Sequence, residues 1–153
     1  MPNTVIRRAA PGDAEALHAL YYPHLSNYPP KEPQDMARWS ELIRKFETDE
    51  RYNILVAEAD GAVAASVTVT IIENLTHNMR PYALIENVVT HSDYRKRGIA
   101  TALMNRACEL AESFGCYKVM LMTGSKLEST LNFYRQCGFD GEEKTGFIKH
   151  FEE

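Results

Sequence analysis

With 153 residues, 44% of them hydrophobic and 25% charged, the chain is long enough for one domain with its own core and has the composition of an ordinary globule. Its net charge of −4 gives no general attraction to nucleic acid or to an anionic membrane, so the basic run Arg95-Lys96-Arg97 is a local feature. No apolar run reaches membrane-spanning length and the N-terminal MPNTVIRRAAPGDAEA lacks the apolar core of a signal peptide, which leads us to expect a cytoplasmic protein.

Thr4–Arg8 reads as a first strand, and Pro11-Gly12-Asp13 as a turn into a helix with Asp13 as N-cap. That helix runs to about Leu25, with Ala14, Leu17, Leu20 and Tyr21 on its inner face. Residues 24–30 are rich in turn formers and aromatics and read as a loop. A second helix follows over residues 33–46, where Met36, Trp39, Ile43 and Phe46 share a face. Tyr21, Tyr22, His24 and Tyr28 beside this loop allow two readings, a packed helix junction or one wall of a substrate pocket.

From Tyr52 the apolar period changes. Residues 53–59 and Ala62–Ile72 are β-rich runs joined by Asp60-Gly61, a hairpin signal because both positions must accept positive φ. Residues 73–81, ENLTHNMRP, read as a polar loop leading to the strand Tyr82–Thr90. A helix over residues 99–114 ends at Gly115, and residues 118–122 form a strand placed parallel to Tyr82–Thr90 by the strand-helix-strand unit. A short helix over residues 128–137 closes at Gly138, and residues 145–151 read as a last strand. Cys108, Cys116 and Cys137 are odd in number and make no CxxC or Cys/His ligand pattern, so we expect small, mostly buried residues and no metal.

The stretch of residues 84–107, LIENVVTHSDYRKRGIATALMNRA, organises the rest. It reads as strand, loop and helix, with Gly98 letting the backbone turn tightly and approach a ligand. The turn amides and the helix dipole suit a phosphate or pyrophosphate, although spacing alone equally suits a solvated basic loop. Glu86 and Asn87 interrupt a strand that should be a continuous apolar run. A carboxylate there either pairs with a neighbouring cation or lies at the floor of a wet cleft.

Arg95-x-x-Gly98-x-Ala100 after a VVT strand, followed by Asn132-Phe133-Tyr134-x-x-Cys137-Gly138-Phe139, resembles the GNAT superfamily of acetyl-CoA-dependent N-acetyltransferases over roughly residues 53–139. Gly115-Cys116-Tyr117-Lys118-Val119, with the same downstream motif, is most similar to the glucosamine-phosphate N-acetyltransferase branch. The resemblance implies one GNAT domain over residues 1–153 with a mixed α/β fold. Its sheet is mostly antiparallel, with a central splayed parallel strand pair flanked by helices. It implies acetyl-CoA as co-substrate, bound by backbone groups of Val88 and Val89 and by the amides of Lys96, Arg97, Gly98, Ile99, Ala100 and Thr101, with Arg95 and Arg97 adding positive potential.

On the same grounds Glu86 is the expected base, the Val88 amide the expected oxyanion donor and Tyr134 the expected acid for the departing thiolate. Many relatives carry an Asn seven residues before this Tyr, where this chain has Leu127; Thr130 is then the expected coenzyme contact. The expected reaction is acetyl transfer to a primary amine of a small molecule, an amino sugar among the candidates, by a homodimer. Acetylation of a protein N-terminus or lysine, or acyl-CoA binding by a regulator without catalysis, are the alternatives. Glu32, Asp35 and Glu73 are candidates for attracting a cationic acceptor.

Overall fold

The computed structural model of the protein describes residues 3–25 and 33–151, which fall into two compact units, Met1–Leu121 and Met122–Glu153. The first unit is built on a five-stranded sheet in the order β1-β2-β3-β4-β5. Its strands are β1 (Thr4–Arg8), β2 (Tyr52–Ala59), β3 (Ala62–Ile72), β4 (Tyr82–Thr90) and β5 (Val119–Leu121). The first four pair antiparallel in chain order, and β5 pairs parallel to β4. Asp60 (φ 53°) and Gly61 (φ 82°) both take the left-handed conformation that a two-residue hairpin with the right twist requires.

Helices α1 (Ala14–His24) and α2 (Met36–Glu47) lie on one face, where Ala14, Leu17 and Ile43 meet Val56 of β2 in a buried cluster with Tyr21, Met36 and Trp39 packed against it. Side chains alternate along a strand, so Leu55 and Ala57 face the other way, toward α4 (Ile99–Ser113). That helix buries Ile99, Leu103, Met104, Ala107 and Ala111 along one stripe, each larger side chain contributing about 1.5–3 kcal/mol.

Several local expectations change. Asp13 does not cap α1: its carboxylate accepts from Arg7 Nη1 and Nη2 at 2.7 and 2.8 Å and from the Ala10 amide at 2.7 Å, inside a single 3-10 turn, Pro11–Asp13. Near its end α1 kinks at Tyr22 (φ −120°, ψ 107°), because the following Pro23 excludes the helical conformation from the residue before it. Helix α2 starts at Met36 rather than at 33, since the Asp35 carboxylate accepts from the Ala37 and Arg38 amides and caps it there.

The expected polar loop at 73–81 contains a turn, α3 (Thr76–Met79), in which His77, Asn78 and Met79 are all left-handed at φ 56°, 60° and 61°. Such residues cost about 1–2 kcal/mol each. Two contacts offset this: Arg80 donates to the Gly115 and Cys116 carbonyls at 3.0 and 3.1 Å, and the His77 ring stacks on Tyr117 at 3.8 Å.

The second unit holds α5 (Glu128–Gln136), and residues 145–151 form no strand. Their apolar side chains Phe147 and Ile148 are adjacent rather than alternating, and at 90% and 68% exposed they find no sheet to pack on. Without that strand the parallel β4–β5 pair stands at the end of the sheet. The three cysteines are half-buried rather than buried.

Candidate active site

Two events on β4 coincide. On its β3 side, Glu86 pairs with Thr68 and Val89 with Ser66, so Val67 alone faces both Asn87 and Val88. This is a β-bulge, and Asn87 sits in it at φ 54°, a conformation that Asn tolerates better than most residues. On its other side β4 pairs with β5 only through Ala83, Leu84 and Ile85. From Glu86 to Thr90 no strand continues that ladder among the described residues, so the parallel pairing ends at Ile85 and Leu121, just before the bulge. Asn87 and Val88 share Val67 across the bulge, so the regular β3 ladder is interrupted at these two residues.

Glu86 and Asn87 are exposed, which removes the cost of a buried carboxylate. Among the described residues the ion pairs include no Lys or Arg on Glu86. The register sets Glu86 beside Thr68 and Ile54, on the α1/α2 face. There the Tyr21 hydroxyl meets the hydroxyls of Ser66 and Thr68, and burial pushes its phenol pKa up. Tyr52, stacked on Phe46 at 3.9 Å between ring centres, is raised by burial and then by the negative charge of Glu86.

Beyond Thr90 the chain turns through Ser92–Tyr94 into the basic loop. Lys96 (φ 62°) and Gly98 (φ 77°) are both left-handed, and Gly98 occupies the N-cap of α4. Arg95, Lys96, Arg97 and Gly98 are exposed, and the Arg97 guanidinium lies 5.2 Å from the centre of the Tyr94 ring. The first bond into α4 runs from the Ala102 amide to the Gly98 carbonyl at 3.0 Å. The amides of Ile99, Ala100 and Thr101 precede it and belong to the helix's positive end, with buried Ile99 anchoring the turn. Three cations thus stand beside amides that carry the positive end of a helix, a combination that suits an anion.

The end of α1 comes to the same place. His24 lies 4.2 Å from His91, whose Nδ1 accepts from the Asp93 amide at 3.1 Å. Of the suggested pocket wall, Tyr21 is packed under α1, Tyr22 meets His18 at 5.2 Å, and Tyr28 lies outside the described residues, as does Glu32. Asp35 is used as a helix cap, and Glu73 is paired with Arg51 at 2.8 Å.

Within the second unit, Thr130 Oγ1 is bonded to Ser125 Oγ at 3.1 Å, and Tyr134 lies between Phe133 and Phe139 at 5.1 and 6.5 Å. Burial pushes the Tyr134 phenol above its usual range, with a smaller push from Cys137. Glu86, Val88, Val89 and residues 95–101 are thus brought together on the first unit, while Thr130 and Tyr134 share α5 of the second. Sequence reasoning passed over Tyr52 and Thr68. The alternating hydroxyls Ser66, Thr68 and Thr70 in an otherwise apolar strand were the available signal that this face of the sheet is polar.

Among the described residues no group of three His, Cys, Asp or Glu side chains is arranged to hold a metal, and no helix is long and apolar enough to cross a membrane. The sequence profile of the Acetyltransferase (GNAT) family matches residues 14–139. Glucosamine 6-phosphate N-acetyltransferase of Trypanosoma brucei brucei is 30% identical over 121 residues, 79% of each chain. A putative acetyltransferase from Agrobacterium tumefaciens str. C58 superposes with a TM-score of 0.86 at 37% identity, covering 96% of this chain and 99% of that one. A structure titled as a transcriptional regulator from Bacillus halodurans C-125 superposes at 0.85 with 27% identity, over 97% and 100% of the two chains.

Proposed function

We propose, from the premise that this chain belongs to the Acetyltransferase (GNAT) family, that it transfers the acetyl group of acetyl-CoA to a primary amine of a small molecule. The observation that carries this reading is the end of the β4–β5 pairing at Ile85 beside the Asn87–Val88 bulge, directly upstream of the cationic turn into α4. An extended pantetheine arm suits a free strand edge, and a pyrophosphate suits the amides of residues 96–101 with Arg95 and Arg97 beside them. These residues fit the coenzyme chemically, and its thioester supplies the activated acetyl group.

The chain's own residues then have three tasks. An amine as basic as lysine is neutral in only about one molecule per thousand at pH 7, a deficit of about 4 kcal/mol. Glu86, exposed on the open face, removes that proton directly or through one water. As the amine nitrogen bonds to the acetyl carbon, negative charge develops on the carbonyl oxygen. The Val88 amide, turned out of the ladder, donates to it, a contribution of a few kcal/mol for a well-aligned donor. When the C–S bond breaks, Tyr134 returns a proton to the thiolate sulfur. Its assignment rests on the Phe133-Tyr134 motif and on the burial that keeps the phenol protonated. Thr130, one turn earlier on α5, is assigned to the coenzyme on the same motif.

The 30% identity to a glucosamine 6-phosphate N-acetyltransferase favours an amino sugar as acceptor. We place the reaction in the cytoplasm, in a homodimer of single-domain chains, as the family branch suggests. A second reading has one specific support, the neighbour titled as a transcriptional regulator: the chain binds acyl-CoA without turnover. Purified protein, acetyl-CoA and a panel of primary amines including glucosamine 6-phosphate separate the two by coenzyme A release. Turnover of an amino sugar above hydrolysis supports the transferase; tight acetyl-CoA binding with no amine-dependent release replaces it with the regulator.

A further inference from the structure

We propose that Tyr52 is a specificity residue on the acceptor side of the cleft, holding the incoming amine against Glu86 and reading a hydroxyl on its carbon frame. The inference rests on the amine-acetylating reading above. It starts from register. Tyr52 pairs with Thr70, Thr70 with Leu84, and Thr68 with Glu86, so Tyr52 and Glu86 stand on the same face, two strands and two residues apart. Two strand spacings and two residues along the strand make about 12 Å between the backbones, a span that an acceptor of a few carbon atoms bridges once both side chains lean into it.

The ring is held by one stack and the backbone that bears it by two hydrogen bonds. It stacks on Phe46 at 3.9 Å with 28° between the planes, the Tyr52 amide donates to the Asp49 carbonyl at 3.2 Å, and its own carbonyl accepts from Arg8 Nη2 at 3.1 Å. Arg8 Nη2 also reaches the Phe46 carbonyl at 2.9 Å, so one guanidinium ties the strand start to the end of the helix that bears the stacking partner. A side chain kept in one rotamer loses little entropy when a ligand binds to it, which is what a recognition residue needs. Yet the ring is only half-buried and Glu86 is exposed, and the register puts both on the same face of the sheet.

The chemistry of that space is specific. The acceptor arrives as an ammonium, and a carboxylate flanked by an aromatic ring attracts it by charge and by the ring's quadrupole. The influence of the Glu86 charge on the Tyr52 phenol supports their proximity. The phenol hydroxyl adds one hydrogen-bonding group, and Thr70 of β3 lies directly across from Tyr52. The class of acceptor this favours is a compact primary amine carrying a hydroxyl a few atoms from the nitrogen. A lysine side-chain amine, at the end of an unsubstituted methylene chain, presents no hydroxyl there.

The test uses the full-length wild type, Tyr52→Phe and Tyr52→Ala, with the best acceptor from the amine panel and an analogue lacking its hydroxyl. Tyr52→Phe keeps the stack on Phe46, and the unchanged circular dichroism and acetyl-CoA affinity expected of it establish folding. For the hydroxylated amine we expect its acceptor KM to rise about 5- to 10-fold, the equivalent of one lost hydrogen bond, with the deoxy analogue unchanged. Tyr52→Ala should raise KM for both amines while the KM for acetyl-CoA stays at the wild-type value. Unchanged acceptor KM in both variants overturns the inference. So does a rise in acetyl-CoA KM in step with acceptor KM, the mark of a merely structural ring. Failure of the underlying reading is seen earlier and separately, as a wild type that binds acetyl-CoA and acetylates no amine.

Discussion

Thr68 of β3 stands directly opposite Glu86 of β4, at the last matched pair before the two strands lose register. The slip is absorbed at Asn87, which takes a left-handed φ of 54°. Asn87→Gly should therefore preserve both fold and activity. Asn87→Val places a β-branched residue where it is strongly disfavoured, at about 1–2 kcal/mol. Urea denaturation should show that loss, and calorimetry a weaker acetyl-CoA affinity. Wild-type values for both in the Val variant would mean that the bulge does not shape the site.

The turn into α4 makes a different prediction because its parts act differently. Gly98 contributes a backbone conformation, φ 77°, whereas Arg97 contributes an exposed charge already leaning on Tyr94. Gly98→Val should weaken acetyl-CoA binding substantially and by the same factor at 50 mM and 500 mM salt. Arg97→Ala should weaken it several-fold at 50 mM salt and hardly at all at 500 mM, since exposed charges are screened beyond about 10 Å at 0.1 M. Equal salt sensitivity of the two variants contradicts this division of labour.

Much of this architecture was legible before any coordinates, and the reason differs element by element. Asp60-Gly61 and the apolar stripe of α4 are local codes, one a steric requirement on two residues, the other a 3.6-residue period. The Asn87 bulge is not local: nothing in LIENVVT fixes which residue slips, because the slip is decided by where Val67 and Ser66 lie on the neighbouring strand. Asp13 carries the right residue type for a cap, but Arg7, six residues away in sequence and adjacent in space, competes for its carboxylate and wins with two bonds. The left-handed run His77-Asn78-Met79 depends on Arg80 finding the end of α4, a long-range contact that no window of neighbouring residues contains. Glu86 was singled out as a misfit in an apolar strand; Tyr52 fits its strand, so pattern gave no reason to notice it.

The two proton-transfer roles predict a matched pair of variants. Glu86→Gln should lower kcat by about 10²- to 10⁴-fold, and Tyr134→Phe should also lower kcat, each with acetyl-CoA affinity close to wild type. Burial raises the Tyr134 phenol above its usual value of 10.0, so it is protonated throughout the neutral range. An acid is lost when it ionises, hence the alkaline fall in wild-type kcat set by this group should have its midpoint above pH 10, and Tyr134→Phe should lack it. A variant with wild-type kcat removes the corresponding residue from the mechanism.

Arg7 and Asp13 make the clearest stability prediction. The bidentate pair joins β1 to the turn before α1, and Glu58 of β2 adds a third carboxylate oxygen at 2.7 Å from Arg7 Nη2. The Arg7 guanidinium holds the Asp13 carboxyl below its ordinary value of 3.8, opposed by partial burial and assisted by the Ala10 amide. Because the folded value is the depressed one, the stabilisation is present above the unfolded value and is lost as pH falls through the folded value. Asp13→Asn should cost about 1.5–3 kcal/mol at pH 7, the range for hydrogen bonds to charged groups, since the Asp13 side chain is only 12% exposed and little screened. Urea denaturation of wild type and variant at pH 7, 5 and 3 reads the difference directly. The gap should be full at pH 7, essentially unchanged at pH 5, and smaller at pH 3, as protonation begins to remove from the wild type what the substitution removes from the variant. A gap that stays constant down to pH 3 would show that the charge on Asp13 contributes nothing beyond its shape, and a gap absent at pH 7 would show that β1 and the turn are held by their apolar neighbours alone.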